Sequence, residues 1–276
     1  MNNIKPAVFT IAGSDSGGGA GIQADLRTFN AFKVYGCSAI TAVTSQNPDE
    51  VRRVDVLSNE TVKTQLECVL EAFPVRFAKT GMLAKSNIIE CVADSAKKYD
   101  LQLIVDPVMV STSGTRLLAV SAISAMKELL FPLAKWITPN IPEAELICER
   151  KLSTVTEFAD AALQLYSLYK CNVILKSGHA ITSNTVSDIV CYQGQIFSLS
   201  SPVVNICSNT AHGTGCTLSA ALAANLALGK TWQEALMAAK AFVYGSLCEY
   251  ICLSNKLKQM YPPTENHSNL ITLKEL

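Results

Sequence analysis

Short runs of consecutive apolar residues alternate along the chain with stretches whose apolar positions recur every three or four residues. The first pattern marks strands covered on both faces, the second amphipathic helices. "AVFTIAG" reads as the first strand, and Ile22, Leu26 and Phe29 mark one face of the helix after it. "CSAITAVTSQ" is a second strand, without alternation. Val62, Leu66, Val69, Leu70 and Phe73 mark the next helix, which the strand "RFAKTG" follows. Ile88, Val92 and Tyr99 mark another; "LQLIVDPV" then enters as a strand stopped by Pro107, and "KWITPN" is a short strand ending at Pro139. Thr154 with Glu157 spells a capping box opening a helix through Leu168. "NVILKSGH" is a strand running into a turn, and "SDIVCYQGQIFSL" predicts a hairpin across Gln193-Gly194 at an antiparallel edge. Thr231 with Glu234 caps the last long helix, through about Cys252, and from Asn255 the chain is polar and aperiodic.

This order predicts a three-layer α/β/α sandwich with a mostly parallel central sheet. There is no internal repeat, linker or low-complexity stretch, so 1–254 reads as one domain and 255–276 as a C-terminal tail. At 276 residues and 49% hydrophobic, the chain can bury one large core. A formal charge of zero without basic blocks argues against nucleic acid as a partner. The apolar run from Ser219 to Leu228 is too short for a bilayer and contains Asn225, so no membrane partner is expected. The N-terminal apolar stretch is too short for a signal peptide. Ten scattered cysteines without a C-x-x-C pair read as reduced thiols of a cytoplasmic protein. Three histidines, His179, His212 and His267, show no H-x-x-x-H spacing for zinc.

Sheets of this kind bind ligands beyond the carboxyl ends of their strands. The polar residues there are Gly13-Ser14-Asp15, Gln46-Asn47, Thr80-Gly81-Met82, Asp106, Asn140 with Glu143, and Lys176 through His179. "GSDSGGGAG" lacks the G-K-[ST] of a Walker A loop. "GAGIQA" matches a dinucleotide fingerprint loosely, but the second strand ends in Gln46, not an acid. Such a loop suits close approach of backbone to a ligand. "AHGTGCTL" leads into a helix whose first turn, Gly213 to Cys216, offers unpaired N–H groups to an anion. The helix dipole there would lower the Cys216 thiol toward neutrality and make it a proton acceptor, although a phosphate beside it would oppose the thiolate; buried packing is the rival reading.

The motifs "AGSD-x-x-GGAGIQADL", "YG-x-SAIT", "SQN", "TGML", "DPVMV-x-x-SG-x-RLL", "ITPN-x-PEAE", "K-x-GH" and "HGTGCTLSAALAA" occur here in that order. Over residues 6 to 250 the chain resembles the hydroxymethylpyrimidine/phosphomethylpyrimidine kinases of thiamine biosynthesis, in the ribokinase-like superfamily. The resemblance implies transfer of the γ-phosphoryl of ATP, with Mg, to the hydroxymethyl of an aminopyrimidine, and a second transfer to the monophosphate. By motif position Gln46 would hydrogen-bond the aminopyrimidine edge, with Gly13 on the same side and Met82 and Val108 walling the ring. Asp25 would contact the hydroxymethyl end or order the loop. Asn140 and Glu143 would support magnesium through water beside the ATP phosphates, and Asp106 would join the metal side or cap the turn before Pro107. Lys176, Lys240 and Thr214 would face the phosphates. Gly213, Gly215 and Cys216 would form the anion hole, with Cys216 as base. A homodimer is compatible with this reading.

The chain departs from the family pattern in several places. Ser16-Gly17 stand for Pro-Ser, Thr112 and Thr115 for Lys and Asp, and Ser177 for a glycine. An extra residue falls near Asn209 and Thr210, and the glycine-rich ending is replaced by "YPPTENHSNLITLKEL". The alternatives are a pyridoxal or pyridoxine kinase, a non-catalytic vitamin-binding regulatory protein, and a nicotinamide-dependent oxidoreductase.

Overall fold

Neighbouring residues of the central strands point into opposite layers, and both neighbours are apolar. Val8, Ile104, Trp136 and Ile174 enter one core, while Phe9, Leu103, Ile137 and Val173 enter the other, all at no more than 0% exposure. The computed structural model describes residues 5–47, 49–109, 120–177, 184–205, 211–255 and 257–276. Among these, ten strands form one sheet in the order β12-β9-β8-β7-β6-β5-β4-β1-β2-β3. They are β1 (Ala7–Asp15), β2 (Tyr35–Gln46), β3 (Val51–Val56), β4 (Val75–Thr80), β5 (Gln102–Val105), β6 (Ala134–Ile137), β7 (Asn172–Leu175), β8 (Thr185–Tyr192), β9 (Gln195–Pro202) and β12 (Thr272–Glu275). The strands from β2 through β1, β4, β5 and β6 to β7 are parallel to their neighbours. The pairs on either flank are antiparallel.

Helices cover both faces. On one side lie α2 (Asn59–Ala72), α3 (Ser86–Lys98), α4 (Val120–Ala125), α5 (Ile141–Cys148) and α6 (Val155–Tyr169), burying among others Leu66, Val92, Ile147 and Leu165. On the other lie α1 (Gly21–Ala31), α7 (Thr214–Ala227) and α8 (Trp232–Cys248), burying Phe29, Leu222 and Leu236. Helix α7 is buried on all sides from Thr217 to Leu226, so it has almost no polar face. The three-layer expectation is met. No helix among the described residues is long and apolar enough to cross a membrane.

Three local expectations change, and one strand was not anticipated. Residues 255–276 were expected to be a tail outside the domain, yet β12 extends the sheet by pairing with β9. Ile271 beside it is buried and Leu273 packs on the same core, an alternation too short to register as a pattern. The hairpin turn at Gln193 (φ 50°) and Gly194 (φ 83°) is as expected, but β12, not the hairpin, forms that edge. Helix α8 stops at Cys248; Ile251–Cys252 becomes β10, paired with β11 (Lys258–Gln259). The charged stretch "VRRVDV" is β3, an edge strand half open to water.

The chain passes from β1 to β2 on one side, then returns to place β4 on the other side of β1. Such a reversal opens a crevice beyond the strand ends.

Candidate active site

The crevice is a cleft of about 1480 Å³. Its wall includes Gly13, Gln46, Met82, Val108, Asp106, Asn140, Glu143, Lys176, Lys240, Gly213, Thr214, Gly215 and Cys216, so separate strand ends do converge with the start of α7. Gln46 is fixed through its backbone, whose N–H donates to Ser16 Oγ (2.9 Å) and whose carbonyl accepts from the same hydroxyl (2.8 Å). Ser16 therefore ties the glycine-rich loop to the end of β2.

Helix α7 begins without a side-chain cap. Gly213 is its N-cap, at φ +87°, and a Cβ there would lie 1.9 Å from the Gly19 carbonyl oxygen. Only glycine permits this approach. The Thr214 hydroxyl donates back to the Ala211 carbonyl (3.1 Å), leaving the first-turn N–H groups as the polar feature of this end. The glycine-rich loop against which it starts is braced by Asp15, which accepts from the N–H groups of Gly17 and Ala20 (both 2.8 Å) and pairs with His212 Nε2 (3.1 Å), just ahead of the helix. Burial would raise the Asp15 pKa, but the His212 hydrogen bond and the two N–H donors hold it at about 2.

Beneath this helix start lies a cluster of buried charges. Lys79 Nζ donates to Asp25 Oδ2 (2.9 Å), with both side chains at 0% exposure, and Thr10 donates to the same oxygen. Burial works against the Lys79 cation, yet the charges of Asp25 and Asp106 keep its pKa above the usual lysine value. Lys176 Nζ donates to Asp106 Oδ1 (2.8 Å), which also accepts from Thr138 (3.1 Å). Burial disfavours the Asp106 carboxylate, but Lys176 and Lys79 outweigh it and lower its pKa. Glu143 is pushed up to about 7, mainly by burial, with Lys176 opposing and Asp106 adding. Gly215 makes room for this row, since a Cβ there would lie 3.0 Å from Lys176 Nζ.

The site differs from expectation in five places. Asp25 does not line the cleft; it lies beneath it and holds Lys79, because a carboxylate with no exposure requires a counter-charge. Asp106 caps no turn with its side chain and is instead the acceptor for Lys176. Lys240 is not a solvated helix lysine: it is buried on the cleft wall and paired with Asp188 (2.7 Å). The Cys216 thiol is not lowered. Burial pushes it up to about 11, since Asp106 and Asp25 add to that effect and Lys79 only partly offsets it. Ser177 needs no glycine freedom, having no positive φ; its N–H donates to Asp188 (3.0 Å) and its hydroxyl to the Ser187 carbonyl.

Lys79 and Asp188 were missed as site residues. The available signal was a charge set beside apolar strand residues, Lys79 after Phe77-Ala78 and Asp188 before Ile189-Val190, which needs a partner from elsewhere in the chain. His179, Asn209, Thr210, Thr112 and Thr115 lie outside the described residues.

A mostly parallel sheet with this cleft and an anion-ready helix start defines an α/β protein built to hold a phosphate-bearing ligand. The comparisons narrow the class. The family model "phosphomethylpyrimidine kinase" matches residues 15–260. A hydroxymethylpyrimidine/phosphomethylpyrimidine kinase of Haemophilus influenzae is 45% identical over 251 residues, 90% of this chain and 92% of that protein. A pyridoxal kinase from Staphylococcus aureus, solved in complex with AMP-PCP, superposes with a TM-score of 0.88 at 31% identity, covering 99% of this chain and 100% of that one. The phosphomethylpyrimidine kinase of Clostridium difficile gives a TM-score of 0.75 at 40% identity, covering 87% and 98%. The chain belongs to the phosphomethylpyrimidine kinase family.

Proposed function

We propose that this chain transfers the γ-phosphoryl group of ATP to the hydroxymethyl oxygen of 4-amino-5-hydroxymethyl-2-methylpyrimidine, and then phosphorylates that monophosphate, in thiamine biosynthesis. The observation that carries this reading is the meeting of Gln46, Lys176 and Cys216 on one cleft at an uncapped helix start. The relatives' names supply the substrate class. Gln46 offers a donor and an acceptor to the aminopyrimidine edge, and Met82 and Val108 wall the ring beside Gly13. The N–H groups from Thr214 to Cys216 face the transferring phosphoryl group, and Lys176 neutralises its charge. Lys240, held by Asp188, lies farther along the phosphate path.

The alcohol oxygen forms the new bond to the γ-phosphorus while the bond to the β-phosphate oxygen breaks and ADP leaves. The alcohol proton passes to Cys216 Sγ. A thiol raised to about 11 is protonated at neutral pH, so Cys216 works from a minor thiolate population. A loose transition state depends more on positioning than on a strong base and tolerates this.

The residues present fit magnesium. Glu143 and Asp106 are buried carboxylates on the same wall, with Lys176 between their charges. Among the described residues no group of three or more His, Cys, Asp or Glu forms a metal cage. One or two carboxylates plus waters and substrate phosphates is the usual magnesium environment. The ion would neutralise charge on the transferring phosphates. Lys79, which also lines the cleft, favours the Cys216 thiolate, and Asp25 beneath it holds Lys79 in place.

A coupled ADP-release assay tests the reading with three acceptors: the pyrimidine alcohol, its monophosphate and pyridoxal. Pyridoxal is the second reading, favoured by the TM-score of 0.88 to the pyridoxal kinase. The pyrimidine is expected to win in kcat/KM, and a pyridoxal preference above about tenfold, 1.4 kcal/mol, reverses the assignment. Cys216→Ala is expected to lower kcat about 10²–10⁴-fold with little change in KM. In the wild type log kcat/KM should rise with pH from 7 to 10, and the slope should vanish in Cys216→Ala. Near-native turnover in the variant reduces Cys216 to packing.

A further inference from the structure

The segment after α8 reaches the cleft. Lys258, on β11, and Tyr250, just before β10, both line the wall. Lys258 Nζ lies 3.1 Å from the Tyr250 hydroxyl and 4.7 Å from the centroid of its ring. The hairpin that carries them is fixed at both ends. Glu249 accepts from Thr264 N (2.7 Å), Thr264 Oγ1 (2.6 Å) and Glu265 N (3.3 Å), and pairs with His267 (3.0 Å). On the other side Gln259 is buried against the glycine-rich loop, where a Cβ on Gly19 would lie 3.0 Å from its Oε1. Arg27 donates to the Gly18 carbonyl (2.9 Å) with its guanidinium 5.9 Å from the Tyr261 ring centroid.

We propose that Lys258, seated on Tyr250, is a phosphate-binding residue for the nucleotide, delivered by the C-terminal strap rather than by the sheet. This rests on reading the cleft as that of an ATP-dependent kinase. The cleft has two unlike halves. Val243 and Leu247 of α8 line the cleft together with Pro202, Val203 and Val204, apolar surface suited to a flat base. Gly13, Gln46, Met82 and Val108 line the acceptor half. A triphosphate whose base lies on that apolar surface must run toward the N–H groups of α7. Gln259, next to Lys258, touches Gly19, and Gly19 abuts Gly213, so Lys258 stands beside that path. The Tyr250 ring holds the ammonium by cation–π attraction and limits the freedom of a long side chain before ligand arrives.

The test is Lys258→Met in the full-length protein, with equilibrium binding of AMP-PCP beside steady-state kinetics. A charge-assisted contact predicts about tenfold weaker AMP-PCP binding and a similar rise in KM for ATP. KM for the pyrimidine alcohol should stay within about twofold, as should thermal stability within a few degrees. Lys258→Arg should restore most of the nucleotide affinity. Unchanged AMP-PCP binding in Lys258→Met overturns the proposal while leaving the kinase reading intact. A rise in the alcohol KM alone overturns it too, placing Lys258 on the acceptor. No AMP-PCP binding and no ADP release by the wild type would remove the kinase reading and this proposal with it.

Discussion

Helices α5 and α7 both start on the wall of the cleft, one closed and one open. At α5 the Asn140 side chain accepts from Glu143 N (2.9 Å) and the Glu143 carboxylate accepts from Asn140 N (2.8 Å), a complete capping box. At α7 the cap is Gly213, with no side chain to offer. A closed terminus satisfies its donors internally and shows the cleft a carboxylate. An open one shows it N–H groups and the positive end of a dipole. The cleft is thus polarised, with the side suited to a cation at α5 and the side suited to phosphate at α7. What fails to be capped is as informative as what is.

Closing the open end should have the largest effect. Gly213→Ala would drive a Cβ to 1.9 Å from the Gly19 carbonyl at a φ of +87° that L side chains rarely adopt. The first turn of α7 or the loop must move, and a displacement near 1 Å at a reacting centre costs about 10²-fold in rate. We expect kcat/KM to fall by about that factor while circular dichroism stays native. Full activity would mean that the tight contact between Gly19 and Gly213 positions nothing.

The uncapped start of α7 abuts the glycine-rich loop, and Asp15 braces that loop and ties it to His212 just before α7. Its pKa is held at about 2, below the 3.8 of an unfolded aspartate. A depressed carboxylate stabilises the fold above the unfolded pKa, and that contribution disappears as pH falls through the folded one. The shift corresponds to about 2 kcal/mol at neutral pH. Asp15→Asn should therefore cost up to that amount in urea unfolding at pH 7. The gap to wild type should narrow between pH 4 and 2. A gap that stays constant with pH would mean the loop is held by something other than this charge.

The contrast between the two ends was partly legible in the amino-acid sequence. "NIPE" contains its own cap and "GTGC" does not, just as Thr154 with Glu157 and Thr231 with Glu234 mark the starts of α6 and α8 by local chemistry. The Gln193-Gly194 turn was legible for the same reason, since positive φ restricts residue choice. Long-range relations were not legible. Lys79 is 54 positions from Asp25, and nothing local indicates that the two share a site with no exposure to water. The dipole of α7 suggested a lowered Cys216 pKa, because helix position is local, whereas the carboxylates that add to burial in raising it come from elsewhere, Asp25 from α1 and Asp106 from the end of β5. Strand β12 has four residues and gains its meaning only from the β9 edge it meets.

The smallest effect belongs to a closed terminus away from the chemistry. Thr231 caps α8 with a complete box: Glu234 N donates to its hydroxyl (3.3 Å), and the Glu234 carboxylate accepts from Thr231 N (2.9 Å). Thr231→Ala removes the hydroxyl acceptor but leaves the carboxylate on the backbone N–H, so half of the box survives. Such caps contribute about 1 kcal/mol. Thermal unfolding should shift down by about 2–4 °C for a chain of this size, with kcat and both KM values unchanged. Thr231 is nine residues from Lys240, and fraying there stays within the first turn because the next turns pack Leu236 and Ala239 into the core. If Thr231→Ala instead lowered kcat, as Gly213→Ala is expected to, a helix start away from the cleft would be positioning the reacting groups.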